Sequence, residues 1–118
     1  MLEYARKKAT ETPYQRGQQR VYAVITDKRG KKIAESSNSY CKSHPTQAIF
    51  AKLCGKSDKI YLHAEIAAML KVRNNNKKDL TLHIARVDSK GNPLPSAPCE
   101  ICALAAEVFG IKEIKYKE

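Results

Sequence analysis

Nowhere in these 118 residues does an uninterrupted apolar run approach the roughly 18 that a membrane span requires. The opening stretch, MLEYARKKATETPYQRGQQR, lacks the apolar centre of a secretory signal. No repeat, linker or low-complexity segment breaks the chain, and no collagen-like or disordered bias marks its composition. These absences exclude a helical membrane protein and a fibrous one, and leave a soluble, intracellular, cytoplasmic protein as the expectation. Hydrophobic residues make up 42% of the chain, enough for one compact core and one domain over residues 1–118.

Acidic residues are also scarce, 12 against 22 lysines and arginines, for a formal net charge of +10. Such an excess favours anionic partners: nucleotides, nucleic acid or a phosphate-bearing substrate. Lys7, Lys8, Arg16, Arg20, Lys112, Lys115 and Lys117 are the basic positions that would track a phosphate backbone; the plain alternative is a solvated surface. The four cysteines are Cys41, Cys54, Cys99 and Cys102. In a reducing compartment the C-x-x-C pair reads as a metal or redox element and not as half of a disulfide framework.

The pattern predicts a helix over residues 2–11 closed off by Pro13, then strands over 20–27 and 31–40 joined at KRG as a hairpin. QAIFAKLC predicts a second helix ended by Gly55, and a third begins near His63 and stops in Asn74, Asn75 and Asn76. LTLHIARV, residues 80–87, is a strand, and SKGNPLPSAP is a loop dense in Gly and Pro. CEICALAAEVF predicts a fourth helix closed by Gly110, and IKEIKYK a final strand near a sheet edge. The expected architecture is α/β, with helices covering a mixed sheet of about four strands.

Two stretches carry chemistry. In LHAEIAAML, His63 and Glu65 open a helix otherwise built for burial. In SAPCEICALAAEVFG, Cys99 and Cys102 lie three apart at a helix start, so their sulfurs share one face and can reach one point. Unsatisfied N–H groups and the positive dipole end of that first turn favour thiolates. Two thiolates and one imidazole make a three-ligand site with an open fourth position, the catalytic kind of zinc site. Strand 80–87 connects the two helices and would bring their N-termini to one end of the sheet, placing His63 as third ligand and Glu65 beside the metal. A carboxylate so placed can move protons between water and substrate. Cys41, His44 and Cys54 could form a second zinc site, against the simpler reading of two buried cysteines and a loop histidine. His83 sits mid-strand as a core or surface residue. Tyr14, Tyr22, Tyr40 and Tyr61 could stack on a base, though core packing is the default.

His63-Ala64-Glu65 followed by Pro98-Cys99-Glu100-Ile101-Cys102 resembles the zinc-dependent cytidine and deoxycytidylate deaminase superfamily, whose signature is H-x-E then P-C-x-x-C. The order of elements resembles that family's core over nearly the whole chain, which implies a three-layer α/β/α fold. The resemblance implies one zinc ion per chain held by His63, Cys99 and Cys102, with Glu65 as the proton shuttle. It implies substrate contacts from Asn38 and from the backbone N–H groups of Ala64 and Cys99. Ala97 stands before Pro98 where adenosine and guanine deaminases of the superfamily often carry Glu, which favours cytosine as the base. The implied reaction is conversion of cytosine to uracil in free cytidine, deoxycytidine or its monophosphate. Single-stranded DNA or RNA is the alternative substrate, and a zinc-bearing nucleic-acid-binding module without turnover a further one. The resemblance also leaves room for a homo-oligomer.

Overall fold

The computed structural model describes residues 1–13, 19–39, 44–56, 62–72 and 79–118. Its elements run α1 (Leu2–Glu11), β1 (Arg20–Thr26), β2 (Lys32–Ser37), α2 (Pro45–Leu53), α3 (Ala64–Leu70), β3 (Leu80–Val87), β4 (Pro93–Leu94), α4 (Glu100–Phe109) and β5 (Ile111–Tyr116). The mixed sheet has five strands, one more than expected. β1 pairs antiparallel with both β2 and β3, while β5 runs parallel to β3. The extra strand, β4, is only two residues long. It pairs antiparallel with Arg86 and Val87 at the end of β3, beyond the part of that edge taken by β5. A proline next to Leu94 inside a Gly/Pro-rich loop gives no periodic signal, so the sequence reads as loop there.

The layers follow from which faces are apolar. α1 buries Ala5 and Ala9, one turn apart, and packs on β1 and β3. On the opposite face, α2, α3 and α4 cover the larger cluster, built on Ile25, Ile66, Met69, Leu82, Ile84 and Ile101. α3 is apolar nearly all round and buried from Ala64 to Met69, which fits a helix enclosed by neighbours. Alternation along β3 sends Leu82 and Ile84 to this face and His83 and Ala85 to the α1 face.

β5 lies at the sheet edge with Lys112, Glu113 and Lys115 exposed. A register shift between Leu80 and Thr81 lets both Ile111 and Ile114 pack on the core. Gly110 ends α4 in the left-handed conformation, at φ 80°, which a residue with a Cβ rarely adopts. The β3–α4–β5 unit brings the start of α4 to the carboxyl end of β3, where parallel arrangements place their sites.

Arg20, grouped above with the phosphate-tracking surface, belongs elsewhere. It is 7% exposed, and its guanidinium donates to the carbonyls of Thr10, Thr12 and Asp88 at 2.9, 3.1 and 2.6 Å. It ties the end of α1 to the end of β3. Arg16, Tyr14, Tyr40, Tyr61, Cys41 and the asparagines 74–76 lie outside the described residues.

Candidate metal centre

His63 and Cys99 occupy the same position on different helices. Each is the N-cap residue, His63 of α3 with φ −75° and ψ 150° and Cys99 of α4 with φ −73° and ψ 169°. Cys99 therefore precedes its helix and does not open it. Three residues on, Cys102 lies fully buried in the first turn of α4. His63 Nδ1 lies 3.2 Å from Cys102 Sγ and 3.5 Å from Cys99 Sγ. The donor atoms of all three residues fall within 4.8 Å of one another, and they form the one such cluster among the described residues.

These distances suit zinc. Tetrahedral zinc with Zn–N of about 2.0–2.1 Å and Zn–S of about 2.3 Å separates nitrogen from sulfur by about 3.5 Å. One imidazole and two sulfurs are also the donors zinc prefers, and three protein ligands leave a fourth position open. The thiols are electrostatically unlike. A hydrogen bond from the Cys102 thiol, assisted by His63, holds Cys99 down to about 4 against the opposing effect of burial. The Cys102 thiol is pushed up by its bond to Cys99, by burial and by the nearby Glu65.

Glu65 is 7% exposed, and burial raises its carboxyl above the ordinary range, opposed by its own backbone N–H and by His63. It lines a cavity of about 590 Å³ together with His63, Ala64 and Cys99. The Ala64 N–H belongs to the first turn of α3, where backbone donors have no partner within the helix. Asn38 lines the same cavity, immediately after β2. Its Oδ1 accepts from Val21 N–H at 3.1 Å and its Nδ2 donates to Gln19 O at 3.0 Å. The side chain thereby clips β2 to the start of β1 while its second amide hydrogen keeps capacity for another acceptor.

Two supports were missed in the sequence. Gln47, completely buried on α2, accepts from the His63 N–H at 3.2 Å and steadies the cap position that presents the imidazole. A glutamine three residues before Phe50 on an apolar helix face was the available signal. Ser96 donates to Ile84 O at 2.9 Å and accepts from Lys117 N–H at 3.0 Å, pinning the loop that leads to Cys99 between β3 and β5. Ser96 sits in a loop composition that gave no hint of burial.

The remaining histidines have structural partners. His44 caps α2, its Nδ1 accepting from Thr46 N–H at 3.0 Å, and Cys54 packs against the core. His83 is buried on the α1 face, 2.9 Å from Thr26 Oγ1, and burial lowers its pKa. Tyr22 bonds Glu35 on that same face, away from the metal cluster.

The family described as the cytidine and deoxycytidylate deaminase zinc-binding region matches residues 1–118. Among solved structures, a mutant cytidine deaminase from Mycobacterium tuberculosis aligns with a TM-score of 0.55 at 19% identity, covering 100% of this chain and 90% of that one. At that identity the likeness shows the fold. No curated protein matches the chain.

Proposed function

Because the chain belongs to the cytidine and deoxycytidylate deaminase zinc-binding family, we propose that it hydrolyses the exocyclic amine of cytosine in free cytidine, deoxycytidine or its monophosphate, within the cytoplasm and as one domain over residues 1–118. The observation that carries this reading is a buried carboxylate, Glu65, on the same cavity as two members of a three-donor zinc site.

His63, Cys99 and Cys102 would hold the zinc. When bound, the metal supplies Lewis acidity that makes a water acidic near neutral pH. Glu65 takes a proton from the attacking water and hands it to N3 of the base. Once the oxygen has bonded to C4, Glu65 takes the remaining proton from the new C4 hydroxyl and delivers it to the amine; the C4–N4 bond breaks, ammonia leaves and the C4 carbonyl of uracil forms. Burial suits the carboxyl to this work, since a raised proton affinity lets it accept and then return a proton. The Ala64 N–H and the free amide hydrogen of Asn38 orient the substrate.

The net charge of +10 favours a second reading, cytosine in single-stranded nucleic acid. Incubating the zinc-loaded protein with dCMP and with a cytosine-containing single-stranded oligonucleotide separates the two. Ammonia from dCMP is the expected result. Uracil in the strand alone would move the assignment to the polynucleotide, and no product from either or from deoxycytidine would end the deaminase reading.

A further inference from the structure

The cavity beside the metal cluster is unbalanced in charge. Among the described residues Glu65 is its one lining carboxylate, whereas Lys56 and Arg86 both line it. Arg86 stands on β3 two residues beyond Ile84, so both side chains leave the sheet on the same face, and both line the cavity. Its cross-strand neighbour Val21 lines the cavity too.

Among the described residues Arg86 has no partner of its own. Its Nε is buried without a hydrogen bond among the described residues, and none of their ion pairs involves it. Arg20 shows the contrast: it is paired with Val87, one position along in the same ladder, and three carbonyls take its donors. Both arginines leave Nε without a hydrogen bond, but the terminal nitrogens of Arg20 are taken by carbonyls, whereas among the described residues the guanidinium of Arg86 bonds to nothing. Arg86 is half-buried, with its Nε withdrawn from water and no counter-charge beside it among the described residues, so a ligand that pairs with it gains.

The chemistry of that ligand follows from the donors. A planar guanidinium fork takes two oxygens of one anion, and an ammonium adds a point charge. A cytosine O2 carries no charge and would use half of the fork at most; a phosphate uses all of it. The cavity of about 590 Å³ also lies within the range of about 300–1,000 Å³ for pockets that hold small ligands whole.

We infer that Arg86, with Lys56 as a second cation, is a phosphate site that sets substrate specificity, so that the substrate is a phosphorylated cytosine nucleotide and not a bare nucleoside. This rests on the deaminase reading given above. The shared chemistry is a phosphate oxygen pair, from either a 5′-monophosphate or a strand.

Binding of deoxycytidine, dCMP and a short single-stranded oligodeoxycytidylate is measured on the zinc-loaded protein carrying Glu65→Gln, with and without Arg86→Gln, alongside ammonia release by the unmutated protein. dCMP should bind more tightly than deoxycytidine, and Arg86→Gln should cut that ratio by about 10–150-fold, the range for hydrogen bonds to charged groups. Arg86→Lys should cut it less, and this variant carries the test if the glutamine protein does not fold. On the protein with Arg86 intact, inorganic phosphate should compete with dCMP and not with deoxycytidine. A loss confined to the oligonucleotide would identify the phosphate as a strand's; a loss with dCMP, as a monophosphate's. Binding of dCMP no tighter than that of deoxycytidine, together with dCMP and oligonucleotide affinities that are both indifferent to Arg86, overturns the phosphate site. Arg86-dependent phosphate preference without ammonia from any substrate would keep the site and overturn the deaminase reading alone.

Discussion

Two glutamates, one on each face of the sheet, are treated in opposite ways. On the α1 face Glu35 accepts from Tyr4 at 2.7 Å and Tyr22 at 2.5 Å and pairs with Lys32 at 2.5 Å. Burial works to raise its pKa, but the bonds from Lys32, Tyr22 and Tyr4 outweigh it and hold the carboxyl at about 2. On the other face Glu65 has no cation to pair with among the described ion pairs, and burial pushes it up. A carboxylate that braces a fold is surrounded by donors that fix its charge. One kept dry without such donors is left able to change its state, which the proton-carrying role proposed for Glu65 requires.

The largest effect expected on this contrast comes from removing the metal from the Glu65 side. Cys102→Ala should reduce zinc from about one per chain to a small fraction of that and abolish turnover, because three protein donors are the minimum for the catalytic kind of site. Metal analysis of the purified variant checks this; stoichiometric zinc would remove Cys102 from the ligand set. Gln47→Leu keeps every donor and the core volume but loses the acceptor for the His63 N–H. Loss of such outer support typically costs about 10–100-fold in metal affinity or activity. A zinc titration against a competing chelator reads it, and an unchanged affinity and activity would reduce Gln47 to packing.

The Glu35 side should respond through stability. Its folded pKa, about 2, lies below the ordinary 4.5, so the unfolded chain binds that proton more readily. The stabilisation is therefore present above about pH 4.5 and lost as pH falls toward 2. Glu35→Gln should cost about 1–3 kcal/mol at neutral pH, since this carboxylate is three-quarters buried and its bonds are charge-assisted. Thermal unfolding from pH 7 to 2 should then show a shallower loss for the variant between pH 4.5 and 2. Parallel curves would mean the Tyr4–Tyr22–Lys32 cluster does not hold the charge.

What was legible in the sequence also divides by face and by range. All four helices and the four longer strands follow from periodicity and caps. The Gly110 stop fell where expected, and α2 began two residues earlier than expected because His44 and Pro45 supply a cap and first turn. The meeting of His63, Cys99 and Cys102 at one point, and the placing of Glu65 on the adjoining cavity, were legible because each pair is local, fixed by spacing on one helix start. Gln47, Ser96 and Arg86 were not, since each acquires its role only when distant segments meet. Arg20 was misread for the same reason: its carbonyl partners come from residues 10, 12 and 88. Formal charge records that an arginine is present and says nothing about whether the fold has already used it.

The central claim is that Glu65 moves protons and does not hold metal. Zinc content and ammonia release from dCMP, measured on one preparation of Glu65→Gln beside the unmutated protein, test it most directly. The account predicts about one zinc per chain in both proteins, with turnover reduced by at least the 10²–10⁴-fold typical of a lost acid–base group, roughly. Unchanged turnover with zinc retained would contradict it, and so would loss of zinc in step with loss of turnover.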